Sequence, residues 1–398
     1  MTTRAFAAHL FEQYAQYCLH NLRPAECKHG RIQPELQTLA DQSEGLLTYA
    51  HIGDSLEGRS INLISCGSGK TSVLLWSQMH GDETTATLAL ADMFSLLAHA
   101  GETEKWIRGM LNEITIHAIP MLNPDGAERG SRFTAAQIDM NRDARAEVTP
   151  EAKILHAAHR KLEPAFGFNL HDQALSSVGE TDHVAALAFL APAKDAARSV
   201  PLSRVRAMRV VAFMVSALDQ FAKRHFSSYD DTFEPRAFGD RMQSWGTSTI
   251  LIESGHWPHD PEKRFIRKLN YVGILIALNA IANKSYNDTD LEFYSSLPRN
   301  GKRLYHYIIR DLEIEQPGGW AHRADIGLEV EPSMIGTTVG GRSSLPQVIV
   351  KEIGDLKGFG ALETIDGGRR KVRASAVTLE ESLPLAMLLD ALQIYHGG

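Results

Sequence analysis

Cysteine is scarce: Cys18, Cys27 and Cys66 are the only thiols among 398 residues. No two have C-x-x-C spacing, so neither a disulfide framework nor a cysteine-type zinc motif is written here. A reducing compartment is expected. Basic excess is lacking as well, with 41 Lys+Arg against 48 Asp+Glu and a net charge of −7. That balance leaves no electrostatic footprint for nucleic acid or an anionic membrane surface. No apolar run reaches the ~20 residues that span a bilayer. The opening "MTTRAFAAHLFEQYAQYCLH" has no uninterrupted apolar core of the signal-peptide kind. The expectation is a soluble, cytoplasmic protein with no internal repeat and no low-complexity tract.

What is present is enough apolar material, 43% of residues, to bury a large core. Residues 1–44 space their apolar groups as helices do (Phe6, Leu10, Tyr14, Tyr17, then Leu36, Leu39) and form a helical preface. Over residues 45–296, short apolar runs such as "SVLLWSQM", "NEITIHAIP", "FGFNLHD" and "TSTILIES" alternate with helical stretches such as "TATLALADMFSLLAHA" and "PEAKILHAAHRKL". The span from Pro120 to Val148 is polar and aperiodic, and "RVRAMRVVAFMVSALDQFAKRH" is expected as one long helix. Alternation of this kind predicts an α/β domain with a mixed, largely parallel central sheet flanked by helices. Residues 297–398 break into short β-branched runs between glycine turns, which predicts a small C-terminal all-β domain.

One stretch, "ISCGSGKTSVLLWSQMHGDETT", offers two chemistries. A phosphate-binding loop would need its first glycine where Ile64 stands, and a helix where "SVLLWSQM" reads as a strand. Gly67–Thr71 is therefore expected to be a turn between two strands. The second half, His80 and Glu83, is His-x-x-Glu, a pattern that also occurs at His9/Glu12, His99/Glu102 and His259/Glu262. Only His80/Glu83 ends a buried-looking strand just before a helix, at the sheet edge where α/β ligands bind. Thr84 follows Glu83, so a third ligand has to come from elsewhere. His171, at the end of "FGFNLHD", is the candidate. Two imidazoles and one carboxylate, with the remaining position open, make the ligand set of a catalytic zinc.

Further pieces follow in order: "LEGRS", "HGDE", "NPDG", "RGSRF", "DMNR", "FNLHD" and "ILIES". In their order and spacing this sequence resembles the zinc metallocarboxypeptidases of the carboxypeptidase A type, over roughly Gly45 to Asn283. The resemblance implies His80, Glu83 and His171 as ligands of one Zn2+ per chain. It implies Arg132 as the group that steadies the oxyanion, and Asn141 and Arg142 as the grip on a free α-carboxylate. Glu253 takes the place of the general base and proton shuttle. The tyrosine that closes over substrate in this family has no counterpart at the simplest aligned position, Asp231, and Tyr229 is the candidate nearby. The pocket segment "FEPRAFGDRMQSWG" is too divergent to align, so Arg236, Asp240 and Arg241 are each pocket or surface. His256 and His259 read as loop histidines.

The implied function is metal-assisted hydrolysis of a C-terminal amide, by zinc-activated water with Glu253 as base, on a peptide or peptide-like substrate with a free carboxylate. The alternatives are an N-acyl amino acid amidohydrolase similar to aspartoacylase or succinylglutamate desuccinylase, which carry a small C-terminal β domain, and a cytoplasmic murein-peptide peptidase. A binding protein that kept the scaffold without activity is a third reading. An oligomer is compatible with all of them.

Overall fold

The computed structural model describes residues 2–100, 104–331 and 346–392, which divide into two compact units. The first comprises residues 1–173, 186–255 and 262–299, and the second residues 174–185, 256–261 and 300–398.

In the first unit, α1 (Thr3–Tyr17) and α2 (His29–Gln42) precede β1 (Leu47–Asp54), β2 (Ser60–Cys66) and β3 (Thr71–Ser77). Then come α3 (Thr85–Ala100), α4 (Lys105–Glu113), β4 (Ile114–Ile119), α5 (Pro124–Arg129), α6 (Pro150–Leu162) and β5 (Phe166–Asp172). After β6 (Ser177–Val178), which belongs to the second unit, the first resumes with β7 (Leu187–Leu190), α7 (Leu202–Leu218), β8 (Phe226–Ser228), α8 (Phe238–Ser244), β9 (Ser248–Ser254), α9 (Arg264–Asn283) and α10 (Leu291–Ser295). Eight strands form one sheet in the order β1-β2-β4-β3-β5-β9-β7-β8. Its central members β4, β3, β5 and β9 run parallel, while β1–β2, β2–β4 and β7–β9 pair antiparallel. The mixed, mainly parallel sheet is the one the alternation of runs predicts. β9 is buried at every position, as a strand covered on both faces must be. Because β3, β5 and β9 are parallel, their carboxyl ends reach the same edge of the sheet.

The Gly67–Thr71 segment joins β2 to β3 and no helix follows it, so the phosphate-loop reading is excluded by the fold. α9 is the helix among the described residues that is long and apolar enough to cross a membrane, but 83% of its apolar window is buried inside the protein, as in a core helix. A buried ion pair fastens it: Arg267 Nε donates to Asp92 Oδ2 on α3 at 2.7 Å, and the Tyr14 hydroxyl of α1 donates to the same oxygen at 2.8 Å.

Three local expectations differ from the structure. The aperiodic stretch after Pro120 contains a short helix, α5, because Asn123 caps it by accepting from Gly126 N, Pro124 fits its first position and Gly130 closes it in the left-handed region at φ 59°. The helix expected over 204–225 starts at Leu202 and stops at Leu218. β7 has no sequence-based counterpart, since its four residues lie in an alanine-rich stretch that suits a helix as well as a strand.

The second unit holds β10 (Asn300–Gly301), β11 (Leu304–Glu315), β12 (Ala321–Val330), β13 (Gln347–Gly354), β14 (Gly360–Asp366), β15 (Lys371–Arg373), β16 (Ser382–Pro384) and α11 (Leu385–Ala391). Its six-stranded sheet runs β14-β11-β12-β13-β16, with β15 alongside β11. Ile309, Leu312, Ile326, Leu328, Val348 and Val350 pack with Leu385, Leu388 and Leu389 of α11 into its core. The expected C-terminal β-sheet region is therefore present.

Candidate metal centre

β3 ends at Ser77, and the chain turns through Gln78, a buried residue at φ 50°, before presenting His80. The Gln78 side chain steadies this turn: its Nε2 donates to the Gly81 carbonyl at 2.9 Å and to the Cys27 carbonyl at 3.4 Å. Gly81 is required by close approach, since a Cβ there would lie 2.0 Å from the Gly126 carbonyl carbon. A backbone bond from Glu83 N to His80 O at 3.2 Å then brings the two side chains to one side.

His171 arrives from the end of β5. Its Nδ1 lies 2.8 Å from Glu83 Oε2, and His80 Nδ1 lies 2.7 Å from Glu83 Oε1. All three side chains are buried, and one ligand atom from each falls within 4.8 Å of the others. The structure thus brings together His80, Glu83 and His171, which stand 88 residues apart at the widest gap. His171 Nε2 is buried without a hydrogen-bond partner, so the ring's polar attachment is through the Nδ1 that faces Glu83. The donor set and its burial fit a divalent metal of the zinc type.

Burial alone would raise the Glu83 acid, but the two imidazoles hold it below the ordinary carboxylate range. Burial would lower His80, yet Glu83 and Asp139 push it up to about 9.

Asp139 was not singled out from the sequence. Its Oδ1 lies 3.0 Å from His80 Nε2, and its Oδ2 accepts from Arg132 Nη2 at 3.0 Å and from Nε at 3.2 Å. A carboxylate on the far nitrogen of a ligand histidine fixes tautomer and ring orientation. The available signal was position: Asp139 opens the "DMNR" motif and caps the single helical turn Met140–Arg142 by accepting from Asn141 N at 2.9 Å. Arg132 Nη1 reaches to 3.5 Å from Glu83 Oε1, so its guanidinium faces the same cluster. Asn141 Oδ1 accepts from Phe238 N at 3.0 Å. Arg142 is exposed beside it, donating to the Asn141 carbonyl at 2.8 Å, with its Nε 3.7 Å from Glu234.

Glu253, the penultimate residue of β9, lies directly opposite His171 in the parallel register and is 7% exposed. Burial and the charge of Glu83 push its acid well above the usual range. Tyr229 follows β8 and is 38% exposed, and its phenol is pushed up to about 12 by the charge of Glu253 first and burial second. Of the residues in the divergent segment, Arg236 forms a two-bond pair with Glu234, Arg241 lies over the Trp245 ring at 5.3 Å, and Asp240 is buried.

Comparison with known proteins points the same way. Residues 32–173 match the zinc carboxypeptidase family model. An uncharacterised protein of Zymomonas mobilis is 29% identical over 135 residues, 33% of this chain and 35% of its own length. Carboxypeptidase E of Caenorhabditis elegans is 30% identical over 147 residues, 31% of this chain and 29% of its own. The matches thus span about a third of these relatives. Among solved structures, a metallo-carboxypeptidase from Burkholderia cenocepacia superposes with a TM-score of 0.52 at 16% identity, covering 65% of this chain and 69% of that one. Bovine thrombin-activatable fibrinolysis inhibitor, solved with tick carboxypeptidase inhibitor, gives 0.53 at 12% identity, covering 65% of this chain and 97% of that one. These structures share the fold. Over residues 32–173 the chain is thus similar to the zinc carboxypeptidase family, the one that its motifs resemble.

Proposed function

We propose that this chain is a zinc-dependent metallocarboxypeptidase that hydrolyses the C-terminal amide of a peptide or peptide-like substrate, with one Zn2+ held by His80, Glu83 and His171. The observation that carries this reading is the convergence of those three buried side chains with Glu253 aligned against His171 on the adjacent strand. Bound there, zinc supplies Lewis acidity, which acidifies water and polarises a carbonyl.

The chain's own residues supply the rest. Arg142 offers a planar fork to a free carboxylate, with the Asn141 amide beside it, and this restricts cleavage to the chain end. Arg132, braced by Asp139, faces the ligand cluster, where it donates to the oxygen that gains charge as the carbonyl becomes tetrahedral. Glu253 takes a proton from the attacking water and returns it to the leaving amine. Tyr229, exposed just after β8, closes over the bound substrate.

A peptide-library digest read by mass spectrometry, with and without chelator and beside a panel of N-acyl amino acids, tests the proposal. Removal of single C-terminal residues, abolished by chelator and restored by zinc, is expected. Turnover of the N-acyl amino acids alone would replace the peptidase with the amidohydrolase reading that the C-terminal β-sheet region favours. Intact libraries with or without zinc would leave a binding protein.

A further inference from the structure

Behind the ligand cluster lies an ion pair to which neither the motifs nor the chemistry above gives a role. Asp172 directly follows ligand His171, and its backbone N–H donates to Glu83 Oε2 at 3.2 Å. Its side chain points inward, 13% exposed. Asp172 Oδ2 accepts from the Thr85 hydroxyl at 2.6 Å and from Lys263 Nζ at 3.0 Å. The same ammonium is 3.4 Å from the carbonyl of Ser254, the residue after Glu253. Lys263 is itself only 17% exposed, and it sits just before α9 with φ 52°.

Three chain segments therefore meet at one partly buried ammonium–carboxylate pair: the 83–85 turn, the end of β5 and the end of β9. Each carries a site residue within two positions. Two carboxylates, Glu83 and Asp172, share this water-poor region, where like charges repel strongly unless a cation offsets them. Removal of the cation alone would leave Asp172 as an uncompensated, largely shielded charge, which is the costly way to break such a pair. The carboxylate would turn away, and with it the Thr85 bond and the backbone donor to Glu83.

We propose that Lys263 is a positioning residue, whose ammonium ties Asp172 to the Ser254 carbonyl and so holds Glu83 and His171 in metal-binding geometry alongside Glu253. The inference rests on the reading of His80, Glu83 and His171 as metal ligands.

The test compares full-length Lys263→Met, Lys263→Arg and the unaltered chain. Zinc dissociation constants come from competition with a chromophoric chelator, and thermal unfolding is followed separately without metal. Outer residues that orient metal ligands typically contribute ~10–100-fold to affinity. Lys263→Met should weaken zinc binding by that range and lower kcat more than it alters KM, and Lys263→Arg should recover most of both. Unchanged zinc affinity in Lys263→Met overturns the proposal even if its melting temperature falls, because Lys263 would then support only the fold. Should Lys263→Met fail to fold, the double variant Lys263→Met/Asp172→Asn, which leaves no unpaired charge, is measured in its place. Normal zinc affinity there overturns the proposal equally, and weakened affinity supports it. His171→Ala separates the two levels. If it binds zinc as the unaltered chain does, the ligand assignment itself falls. If it loses zinc while Lys263→Met does not, only the role of Lys263 falls.

Discussion

Glu253 and His171 are direct cross-strand partners: in the parallel β5–β9 pair their Cα atoms occupy matching positions at the carboxyl edge of the sheet. A residue read as a proton shuttle and one read as a metal ligand are thereby set side by side by backbone hydrogen bonding, not by a loop. Rigid strands hold such geometry more tightly than loops do.

Glu253→Gln keeps the shape and removes the base. Positioned general acid–base groups contribute ~10²–10⁴-fold, so kcat should fall by at least that range while bound zinc, measured by elemental analysis, stays near one per chain. Arg132→Ala should lower kcat by about 10²–10³-fold, the cost of one oxyanion donor. Near-normal turnover in either variant removes the assigned role.

Asp139→Ala unties two side chains at once, His80 through Nε2 and Arg132 through its guanidinium. Zinc affinity should drop about 10–100-fold, and kcat should fall further than zinc loading accounts for, because Arg132 loses its brace. Full zinc affinity with full activity would show that the carboxylate is incidental.

Gly81→Ala places a methyl carbon 2.0 Å from the Gly126 carbonyl carbon, so backbone has to move. Overpacking typically costs ~1–3 kcal/mol. Since the strained turn carries His80, zinc affinity should fall together with stability. A melting curve and zinc titration matching the unaltered chain would contradict the close approach.

Asp240 gives a pH signature. Burial pushes its acid from 3.8 up to about 7 in the folded protein. Between those values the folded chain keeps the proton while the unfolded chain releases it, so rising pH disfavours folding across this window and adds no further cost above it. Asp240→Asn removes that penalty. Urea unfolding should show the variant more stable by roughly 1–4 kcal/mol at pH 8, with the difference shrinking towards zero below pH 4. A gap of constant size across this range would mean that the carboxyl does not titrate as its burial implies.

His80, Glu83, His171 and Glu253 were legible from the chain because each ends or follows an apolar run, and a polar residue at the end of a buried strand needs a partner or a task. The α/β alternation and the glycine-punctuated C-terminal region were legible for the same reason, since hydrophobic period is local information. β7 escaped because its four residues lie in an alanine-rich stretch whose composition suits a helix as well as a strand. Asp139 and Lys263 escaped because a charged residue in a polar segment looks solvated until its partner is known, and Asp172, the last residue of β5, because His171 beside it already accounted for that strand end. Lys263 is 91 residues from the carboxylate it meets.

The sequence by itself determined which side chains were present to bind a metal and which runs would be buried strands, through composition and spacing alone. Only the tertiary structure decided that β5 lies between β3 and β9 in parallel, which is what makes three distant strand ends into one edge. It also decided which charges neutralise one another there. Strand order and charge pairing depend on long-range contacts whose energies exist only once the chain is folded, so no local pattern encodes them.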